Sequence, residues 1–410
     1  MLANICISIS YHHFQPEFCP LAQNFEFVMK PKILFMMYMP PPVHGAAMVG
    51  KYIHDSELVN KTFDCHYINL MLATDLSNVG KGSFKKLGVY ICLIKQIIQE
   101  IRKIRPELCY VTVNATGGPF YKDFIIIQLL KIFKCKIVVH YHNKGVSTRQ
   151  NRLLDNILYR SFFKNLMVIL LAETLYQDIR KYVKRENVFI CPNGIPDLSL
   201  KQQIIDKNNK IPQILFLSNL LIEKGVWVLL DACQILKRKG YIFQCNFIGK
   251  ETAEINESIF TEAVETRKLS GIVHFLGGKY GEEKSFYFQN ADLFVFPTHY
   301  YNECFPLVLL EAMQYQLPVI STAEGGISEI IEHGYTGFIV KKQDSEDLVE
   351  AIEKLLLNSS LRIKMGEVGY IRFKENFTLE KFEIKFVNIL TQILENSNVM
   401  YKQPLRSMNI

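Results

Sequence analysis

Short apolar runs alternate with amphipathic segments along most of the chain. The runs at residues 33–38, 107–113 and 136–142 are rich in Val, Ile, Tyr and Cys, which favours buried β-strands. Residues 87–104, between the first two runs, repeat apolar side chains every three or four positions, as an amphipathic helix does. Alternating strands and helices predict a parallel sheet that is covered by helices on both faces.

A second series of the same kind follows a turn-rich segment. Residues 191–196 read C-P-N-G-I-P, and the polar stretch 201–210 comes soon after them. Further apolar runs predict strands at 213–217, 243–248, 272–276, 293–297, 318–321 and 337–340, and helices follow near 345–357, 360–376 and 379–396. The fold class is therefore α/β, with two Rossmann-like doubly wound domains that face a central cleft.

These patterns divide the chain into five parts. We expect an extension outside the fold (1–29), a first domain (30–195), a linker (196–210), a second domain (211–375), and a crossover helix with a tail (376–410). The length of 410 residues suits two domains of ordinary size. A content of 49% hydrophobic and 21% charged residues is typical of globular proteins and excludes a disordered chain.

Composition also bears on the cellular compartment of the protein. No run approaches the roughly 18 to 20 apolar residues that span a bilayer. The ten cysteines include no C-x-x-C pair and no cluster at zinc spacing, which is typical of reduced, buried thiols. We therefore expect a cytoplasmic protein without a metal site or a cofactor, and peripheral binding to the inner face of the plasma membrane is an alternative location.

Charge is unevenly distributed between the two halves. Residues 30–195 hold 24 Lys and Arg against 11 Asp and Glu, a net charge of +13, whereas residues 196–410 have a net charge of −4. Such asymmetry suggests that the first half faces an anionic partner, either a nucleic acid or an anionic membrane surface. A solvated basic face without any partner is the alternative.

The most informative segment, residues 302–313, reads N-E-C-F-P-L-V-L-L-E-A-M and follows the predicted strand 293–297. Pro306 suits the first turn of a helix, so Glu303 lies just before that helix and Glu311 about two turns inside it. Free N–H groups at a helix start bind phosphate or sugar oxygens, and the two carboxylates can accept hydrogen bonds from vicinal hydroxyls. Two glutamates at this spacing also fit a helix-start charge and a surface residue.

Two other strand-to-helix loops support a ligand site. Residues 218–225 contain Lys224, whose ammonium group can neutralise a phosphate, and residues 323–329 open another helix. All three loops follow strands of one predicted sheet, so they converge on the same edge.

At these residues the sequence resembles the family 4 glycosyltransferases, which are known by an E-x7-E element matched here by Glu303 and Glu311. The resemblance includes the K-G at 224–225, N-A-D-L-F-V-F-P at 290–297, G-G-x-x-E at 325–329 and P-N-G-I at 192–195, and spans about residues 30–395. It implies a GT-B fold whose C-terminal helix packs back on the N-terminal domain. It also implies transfer from a nucleotide sugar to a glycan or lipid-linked acceptor, with retention of configuration, in polysaccharide or glycolipid biosynthesis.

The same resemblance implies roles for residues of the second domain. Glu303 contacts hydroxyls of the donor sugar, Glu311 contacts the ribose, and Lys224 contacts the diphosphate. The backbone at Cys304, Phe305 and Leu307 contacts the sugar and the diphosphate.

In the first domain, His142 resembles the family's histidine beside the reacting carbon, and Gly45 resembles its loop near the diphosphate. His140 shares a strand face with His142, so either histidine could instead be a buried, hydrogen-bonded side chain.

Some positions depart from the family pattern. Ser218-Asn219 stands where Gly-Arg is common, which leaves Asn219 as a neutral donor to the diphosphate. Ala46 replaces the second glycine of the first loop, and Pro306 removes one backbone donor. The chain contains no D-x-D triplet, so we expect Lys224 and helix N-termini to neutralise the diphosphate without a divalent metal.

Two other functions remain open. A nucleotide-sugar epimerase shares this architecture, and a basic binding protein that has lost catalysis is the non-enzymatic alternative. We expect no nucleic-acid partner. The candidate contact with an anionic membrane is the predicted helix 87–104 with the basic residues around it, Lys85, Lys86, Lys95, Arg102 and Lys103.

Overall fold

The computed structural model of the protein describes residues 29–41, 45–71, 83–198 and 211–400. Residues 1–28 of the predicted extension and residues 199–210 of the predicted linker lie outside this range. The described residues from Pro31 onward form one compact unit that contains two sheets. The exact domain boundaries stay predictions.

The first sheet has six parallel strands in the order β2-β1-β3-β4-β5-β6. All six residues of its third strand are buried, as in a parallel sheet with helices on both faces. The strand order reverses between the first and third strands, so the loops that follow them diverge and leave a crevice at the carboxyl edge. The strands are β1 (Lys32–Met37), β2 (Asp64–Asn69), β3 (Leu108–Val113), β4 (Ile137–Tyr141), β5 (Met167–Leu170) and β6 (Val188–Ile190).

Helices cover this sheet through apolar stripes. Within the described residues they are α1 (Gly45–Asp55), α2 (Glu57–Thr62), α3 (Ser83–Ile104), α4 (Gly117–Ile132), α5 (Val146–Arg149), α6 (Leu153–Phe163) and α7 (Tyr176–Ile179). The helix α3 buries Leu93, Ile97 and Ile101 in the core, at the spacing of one helical face. Ser56 caps α2 because its hydroxyl oxygen accepts the N–H of Val59 at 3.2 Å.

The second sheet is also parallel, in the order β12-β11-β10-β7-β8-β9, which is the doubly wound order of a Rossmann fold. Its reversal lies between β7 and β10. The strands are β7 (Gln213–Leu217), β8 (Gln244–Ile248), β9 (Val273–Phe275), β10 (Leu293–Phe296), β11 (Val319–Thr322) and β12 (Gly337–Val340). The helices are α8 (Val226–Arg238), α9 (Glu257–Thr266), α10 (Gly281–Asn290), α11 (Leu307–Gln314), α12 (Ile327–Ile330), α13 (Ser345–Leu357) and α14 (Ser359–Asn376).

A last helix, α15 (Leu379–Met400), returns to the first sheet. Phe386 of this helix lies 5.3 Å from Tyr110 and 6.5 Å from Phe35, measured between ring centroids. Phe382 and Leu390 belong to the same buried cluster as those strand residues. The predicted packing of a C-terminal helix on the N-terminal domain is therefore confirmed.

The chain passes between the sheets at two adjacent points. After β6, Ile195 forms a parallel bridge with Thr378, which lies between α14 and α15. The N–H of Ile195 donates to the carbonyl of Phe377 at 3.0 Å, and the N–H of Leu379 donates to the carbonyl of Ile195 at 2.7 Å. The turn-rich segment predicted as a boundary is thus one of the two crossings.

The predicted architecture of two doubly wound domains is confirmed, with strand ends displaced by about one residue in most cases. The strands β5 and β6 were not predicted, and neither was β2, because its sequence D-C-H-Y-I-N is half polar and forms no apolar run. It lies at the edge of the sheet, where only one neighbour is needed, and most of its residues are half-buried.

Candidate active site

A cavity of about 970 Å³ lies between the carboxyl edges of the two sheets. Loops after β1, β3 and β4 form one wall, and loops after β7, β8, β9 and β10 form the other. Every predicted site residue lines this cavity: Gly45, His142, Asn219, Lys224, Glu303, Cys304, Phe305, Leu307 and Glu311. The structure brings these residues together at the two topological switch points, while their separate roles stay predictions.

The first glutamate of the motif forms an ion pair with Lys224. The Nζ atom of Lys224 lies 2.5 Å from Oε2 of Glu303, and the two side chains are only 14% and 11% exposed. The same Nζ atom lies 4.4 Å from the ring centroid of Tyr300. Gly225, with a φ of +86°, allows this close approach of loops, because a β-carbon there would lie 2.2 Å from the carbonyl oxygen of Pro297.

The second glutamate of the motif pairs with a different lysine, which was not predicted. Glu311 is the fifth residue of α11, a little over one turn inside the helix rather than two. Its Oε1 atom accepts a hydrogen bond from Lys284 Nζ at 2.8 Å. Lys284 lies near the start of α10, the helix that follows β9 at the same sheet edge. This position after a strand is the feature of the sequence from which its place in the site could have been predicted. On the opposite wall, burial and then the Glu311 charge raise the pKa of Tyr52 to about 12.

The helix α11 begins one residue later than predicted, with Pro306 at its N-cap position. Two glycines of another loop pack against the segment before this helix, which carries Glu303. Gly325, with a φ of +57°, packs so closely that a β-carbon would lie 2.2 Å from the carbonyl oxygen of Glu303. The N–H of Gly326 donates to the carbonyl of Cys304 at 2.7 Å. The predicted loop 323–329 therefore packs against the loop that carries Glu303.

The two candidate histidines lie in different environments. His140 is fully buried inside β4, and its Nδ1 atom lies 2.7 Å from the hydroxyl oxygen of Tyr110. Burial and the neighbouring His142 lower the pKa of His140 well below its ordinary value. His142 follows the end of β4 and lines the cavity. His140 is thus a hydrogen-bonded core side chain, and His142 is the histidine that a ligand can reach.

Two further predicted positions lie at the rim of the site. Gly45 is the first residue of α1, and a β-carbon there would meet no atom within 4 Å, so the packing of the protein itself does not require glycine. Ser218 and Asn219, which replace the family's Gly-Arg, both line the cavity, and the side chain of Asn219 is exposed.

A polar cluster on the first-domain wall was also missed. The carboxylate of Asp123 accepts hydrogen bonds from the backbone N–H of Asn114 at 2.7 Å and from its side-chain amide at 3.0 Å. The same amide donates to the hydroxyl of Tyr38 at 2.6 Å. A single acidic residue directly before the apolar run 124–130 was the only signal in the sequence.

Side chains from both domains meet beside the cavity. Glu324 is 3% exposed and bonds to Lys144 of the first domain and, at 2.5 Å, to Lys342 of the second. Although burial opposes its ionisation, these lysines outweigh that effect and lower the pKa of Glu324. Glu329, the last residue of the G-G-x-x-E element, accepts the N–H of Thr174 at 2.8 Å. That glutamate therefore joins the domains and does not line the cavity.

The cations of the cavity belong mostly to the second domain. Its wall carries Lys224, Lys250, Lys279 and Lys284. Among the described residues, Lys122 is the only Lys or Arg that the first domain contributes to the lining. The positive charge counted over residues 30–195 thus lies largely outside this cavity.

Comparison with known proteins places the second half of the chain in a family. Residues 199–372 match the family described as "Glycosyl transferases group 1". The amylovoran biosynthesis glycosyltransferase of Erwinia amylovora is 27% identical, over 63% of this chain and 65% of its own length. The O-antigen chain mannosyltransferase C of Escherichia coli is 28% identical, over 64% of this chain and 71% of its own. The capsular polysaccharide biosynthesis glycosyltransferase of Staphylococcus aureus is 33% identical, over 40% and 41%.

Solved structures show the same fold. A sucrose-phosphate synthase from Thermosynechococcus elongatus superposes with a TM-score of 0.69 at 18% identity and covers 90% of this chain and all of its own. The Anabaena protein HepE, solved with UDP-glucose, superposes with a TM-score of 0.64 at 16% identity and covers 88% of this chain. At these identities the likeness establishes the GT-B fold.

Proposed function

Because this chain belongs to the group 1 glycosyltransferases, we propose that it moves a sugar from a nucleotide donor to a hydroxyl of a glycan or lipid-linked acceptor. The pairing of Glu303 with Lys224 and of Glu311 with Lys284, at the switch point of the second sheet, carries this proposal. The names of the amylovoran, O-antigen and capsule relatives support a role in the biosynthesis of cell-surface polysaccharide.

In this proposal the second domain binds the donor. The diphosphate contacts Lys224 and the N–H groups at the start of α11, which have no acceptor within the helix. The side chains of Cys304 and Phe305 are 3% and 4% exposed, so these residues offer backbone groups rather than side chains. Glu311 binds the ribose, and Glu303 binds hydroxyls of the sugar. When the nucleotide sugar binds, each glutamate loses its contact with lysine and accepts hydrogen bonds from hydroxyl groups of the ligand.

The transfer proceeds with retention of anomeric configuration. The bond from the anomeric carbon to the diphosphate oxygen breaks, and the acceptor oxygen attacks the same face and forms the new glycosidic bond. The acceptor proton passes to the departing phosphate oxygen, which Lys224 stabilises. His142 lies at the carboxyl end of β4, where it can contact the sugar beside the reacting carbon. Catalysis on this route consists of positioning and electrostatic stabilisation.

The purified protein should hydrolyse one member of a panel of UDP- and GDP-sugars slowly in the presence of EDTA. Metal independence is expected because Lys224 and the start of α11 supply the positive charge that a divalent ion provides elsewhere. A nucleotide at about 100 times its Kd should also raise the unfolding free energy by roughly 2.7 kcal/mol. Released nucleoside diphosphate and the thermal shift measure the two effects.

The same samples separate the rival functions. Isomerised nucleotide sugar without hydrolysis would identify an epimerase. Absence of both hydrolysis and any thermal shift would favour the non-catalytic binding protein. Activity that disappears in EDTA and returns with magnesium or manganese would refute metal independence and the role of Lys224.

The first domain also offers a surface for an anionic membrane. Within the part of the chain that the structure describes, no helix is long and apolar enough to cross a bilayer. The helix α3 buries Ile97 and Ile101, so it is a sheet-covering helix, but Leu87 is 56% exposed and Lys95 and Lys103 face solvent. Exposed basic residues on such a helix suit peripheral binding, in which each basic residue contributes about 1 kcal/mol at an anionic surface.

Flotation with vesicles tests this contact. The protein should float with vesicles that contain anionic lipid, and much less with neutral vesicles or at high salt, because screening weakens the attraction. The variant Lys95→Glu/Lys103→Glu should lose most of this binding. The control Lys341→Glu/Lys364→Glu, with the same charge change on the second domain, should keep it. Equal binding to both vesicle types, or equal loss in both variants, would refute the contact.

A further inference from the structure

A second cavity, of about 370 Å³, lies where the chain crosses between the two sheets. Pro192, before the first crossing, and Phe377, next to Thr378 at the second crossing, both line it. Ser328 of α12 lines it from the second domain. Among the described residues, Phe305 is the only one that also lines the cavity of the candidate active site. The second cavity is therefore a separate space that shares one wall residue with the first.

Basic side chains outnumber acidic ones in the lining of the second cavity. Arg372 of α14 and Lys381 and Lys385 of α15 line it together with Glu329 of α12, which gives three positive charges against one negative charge. The carboxylate of Glu329 already accepts the N–H of Thr174 at 2.8 Å. The lining therefore has an excess of two positive charges, which favours an anionic ligand.

Main-chain carbonyl groups hold the guanidinium group of Arg372 in place. Its Nε atom donates to the carbonyl of Ile330 at 2.9 Å, and its Nη2 atom donates to the carbonyl of Glu329 at 2.7 Å. The nearest carboxylate, that of Glu332, lies 3.7 Å from Nη1 and is 53% exposed, so water screens this ion pair. A fixed, half-buried guanidinium group with N–H groups to spare is well suited to bind an oxyanion.

The two lysines lie one helical turn apart, where like charges repel each other. Within the part of the chain that the structure describes, no carboxylate lies within 4.0 Å of the ammonium group of Lys381 or Lys385. Burial raises the pKa of Cys191 to about 12, and the charge of Lys385 opposes this rise, so that ammonium group lies near the wall that Pro192 forms. An anion between these lysines and Arg372 would relieve their repulsion.

The magnitude of the charge favours one class of anion. A phosphate monoester carries about 1.5 to 2 negative charges at pH 7, whereas a carboxylate carries one. The phosphate therefore matches the excess of two positive charges in the lining. The exposed side chains of Ser328 and Asn376 also line the second cavity and suit the hydroxyl groups of a phosphorylated sugar. A volume of about 370 Å³ is close to the lower limit of the roughly 300–1,000 Å³ that ligand pockets occupy, so the ligand is small.

We propose that the second cavity binds the phosphate group of a small molecule between Arg372, Lys381 and Lys385. This site is additional to the proposed transfer function and takes no part in the reaction itself. Its position also connects it to the donor side. Phe305 lies 5.7 Å from Phe377, measured between ring centroids, and directly precedes Pro306 at the start of α11. A ligand in the second cavity would therefore contact the segment before α11 from the side opposite to the active site.

Hydrogen–deuterium exchange with mass spectrometry tests this site in the full chain. The probes are inorganic phosphate, ribose 5-phosphate and uncharged ribose, each at fixed ionic strength. Both phosphates should slow the exchange of main-chain N–H groups in segment 374–382, which joins α14 to α15, and ribose should not. The phosphate concentration that gives half of this protection is the Kd of the site. Tighter binding of ribose 5-phosphate would identify a phosphorylated sugar as the ligand, and equal affinity would identify free phosphate.

A pair of matched variants tests the lysines. Lys381→Gln/Lys385→Gln should raise this Kd about tenfold, because two of the three cations are lost and each exposed ion pair is weak. Lys341→Gln/Lys364→Gln makes the same charge change at exposed positions that do not line either cavity, and should leave the Kd unchanged. Arg372 is kept in both variants because it also holds the end of α12.

Three results would overturn the proposed site. The first is unchanged exchange in segment 374–382 of the wild-type protein, and it needs no variant. Protection confined to segments 218–225 and 302–308 would place the phosphate in the active-site cavity alone. Equal Kd values in the wild type and the Lys381→Gln/Lys385→Gln variant, or the same loss in both variants, would exclude the two lysines as ligands.

Discussion

Glu303→Gln is expected to lower kcat by about ten- to a hundredfold and to leave the affinity for free nucleoside diphosphate nearly intact. Glu303 is proposed to contact the sugar, which gains positive charge as its bond to the diphosphate breaks, so the carboxylate matters most in the transition state. Removal of a hydrogen bond to a charged group costs about 1.5–3 kcal/mol. The substitution also releases Lys224 from its ion pair, which favours the diphosphate. Steady-state kinetics and calorimetry with the free diphosphate measure both effects.

Exposed Glu282 provides the control for this substitution, because Glu282→Gln makes the same chemical change on the surface of α10. It should change neither kcat nor diphosphate binding. Lost diphosphate binding in Glu303→Gln with an unchanged kcat would assign this glutamate to the nucleotide instead of the sugar.

Glu311→Gln is expected to weaken the binding of donor and of free nucleoside diphosphate alike, by about ten- to a hundredfold, with a smaller effect on kcat. Glu311 is proposed to contact the ribose, which does not change during transfer, so its contribution is equal in the ground and transition states. The result expected is a higher KM for the donor and a weaker calorimetric Kd for the diphosphate.

The two glutamate variants also test each other. If Glu311→Gln lowers kcat while diphosphate binding survives, the two roles are reversed. If neither variant differs from Glu282→Gln, the motif contributes only a helix-start charge and a partly exposed surface residue, and the proposed transfer loses its main support.

The strands and the motif loops could be predicted because their signals are local. The predicted runs 213–217 and 337–340 coincide with β7 and β12, because most residues of both strands are apolar and each strand buries some of them against the rest of the domain. The position of Glu303 before a helix followed from Pro306 and the strand upstream. The convergence of three loops followed from the rule that ligand sites lie at the carboxyl ends of parallel strands.

The partners of these residues could not be predicted, because pairing is set by tertiary packing. Lys284 contacts Glu311 only because the starts of α10 and α11 lie at the same sheet edge. The position of Asp123 in the cavity wall could not be predicted for a similar reason. One acidic residue beside an apolar run is compatible with a solvated helix end, and only the fold places it under Tyr38 and Asn114 at the cavity wall.

The return of α15 to the first sheet has a consequence for folding during translation. The strands of this sheet leave the ribosome first, but Phe382, Phe386 and Leu390, which cover Phe35 and Tyr110, are synthesised only after the entire second sheet. Until then one apolar face of the nascent sheet lacks this cover and can aggregate or bind a chaperone. The second sheet can therefore finish folding before the first, in the reverse of the order of synthesis. A stalled ribosome that withholds α15 should leave the first sheet sensitive to protease.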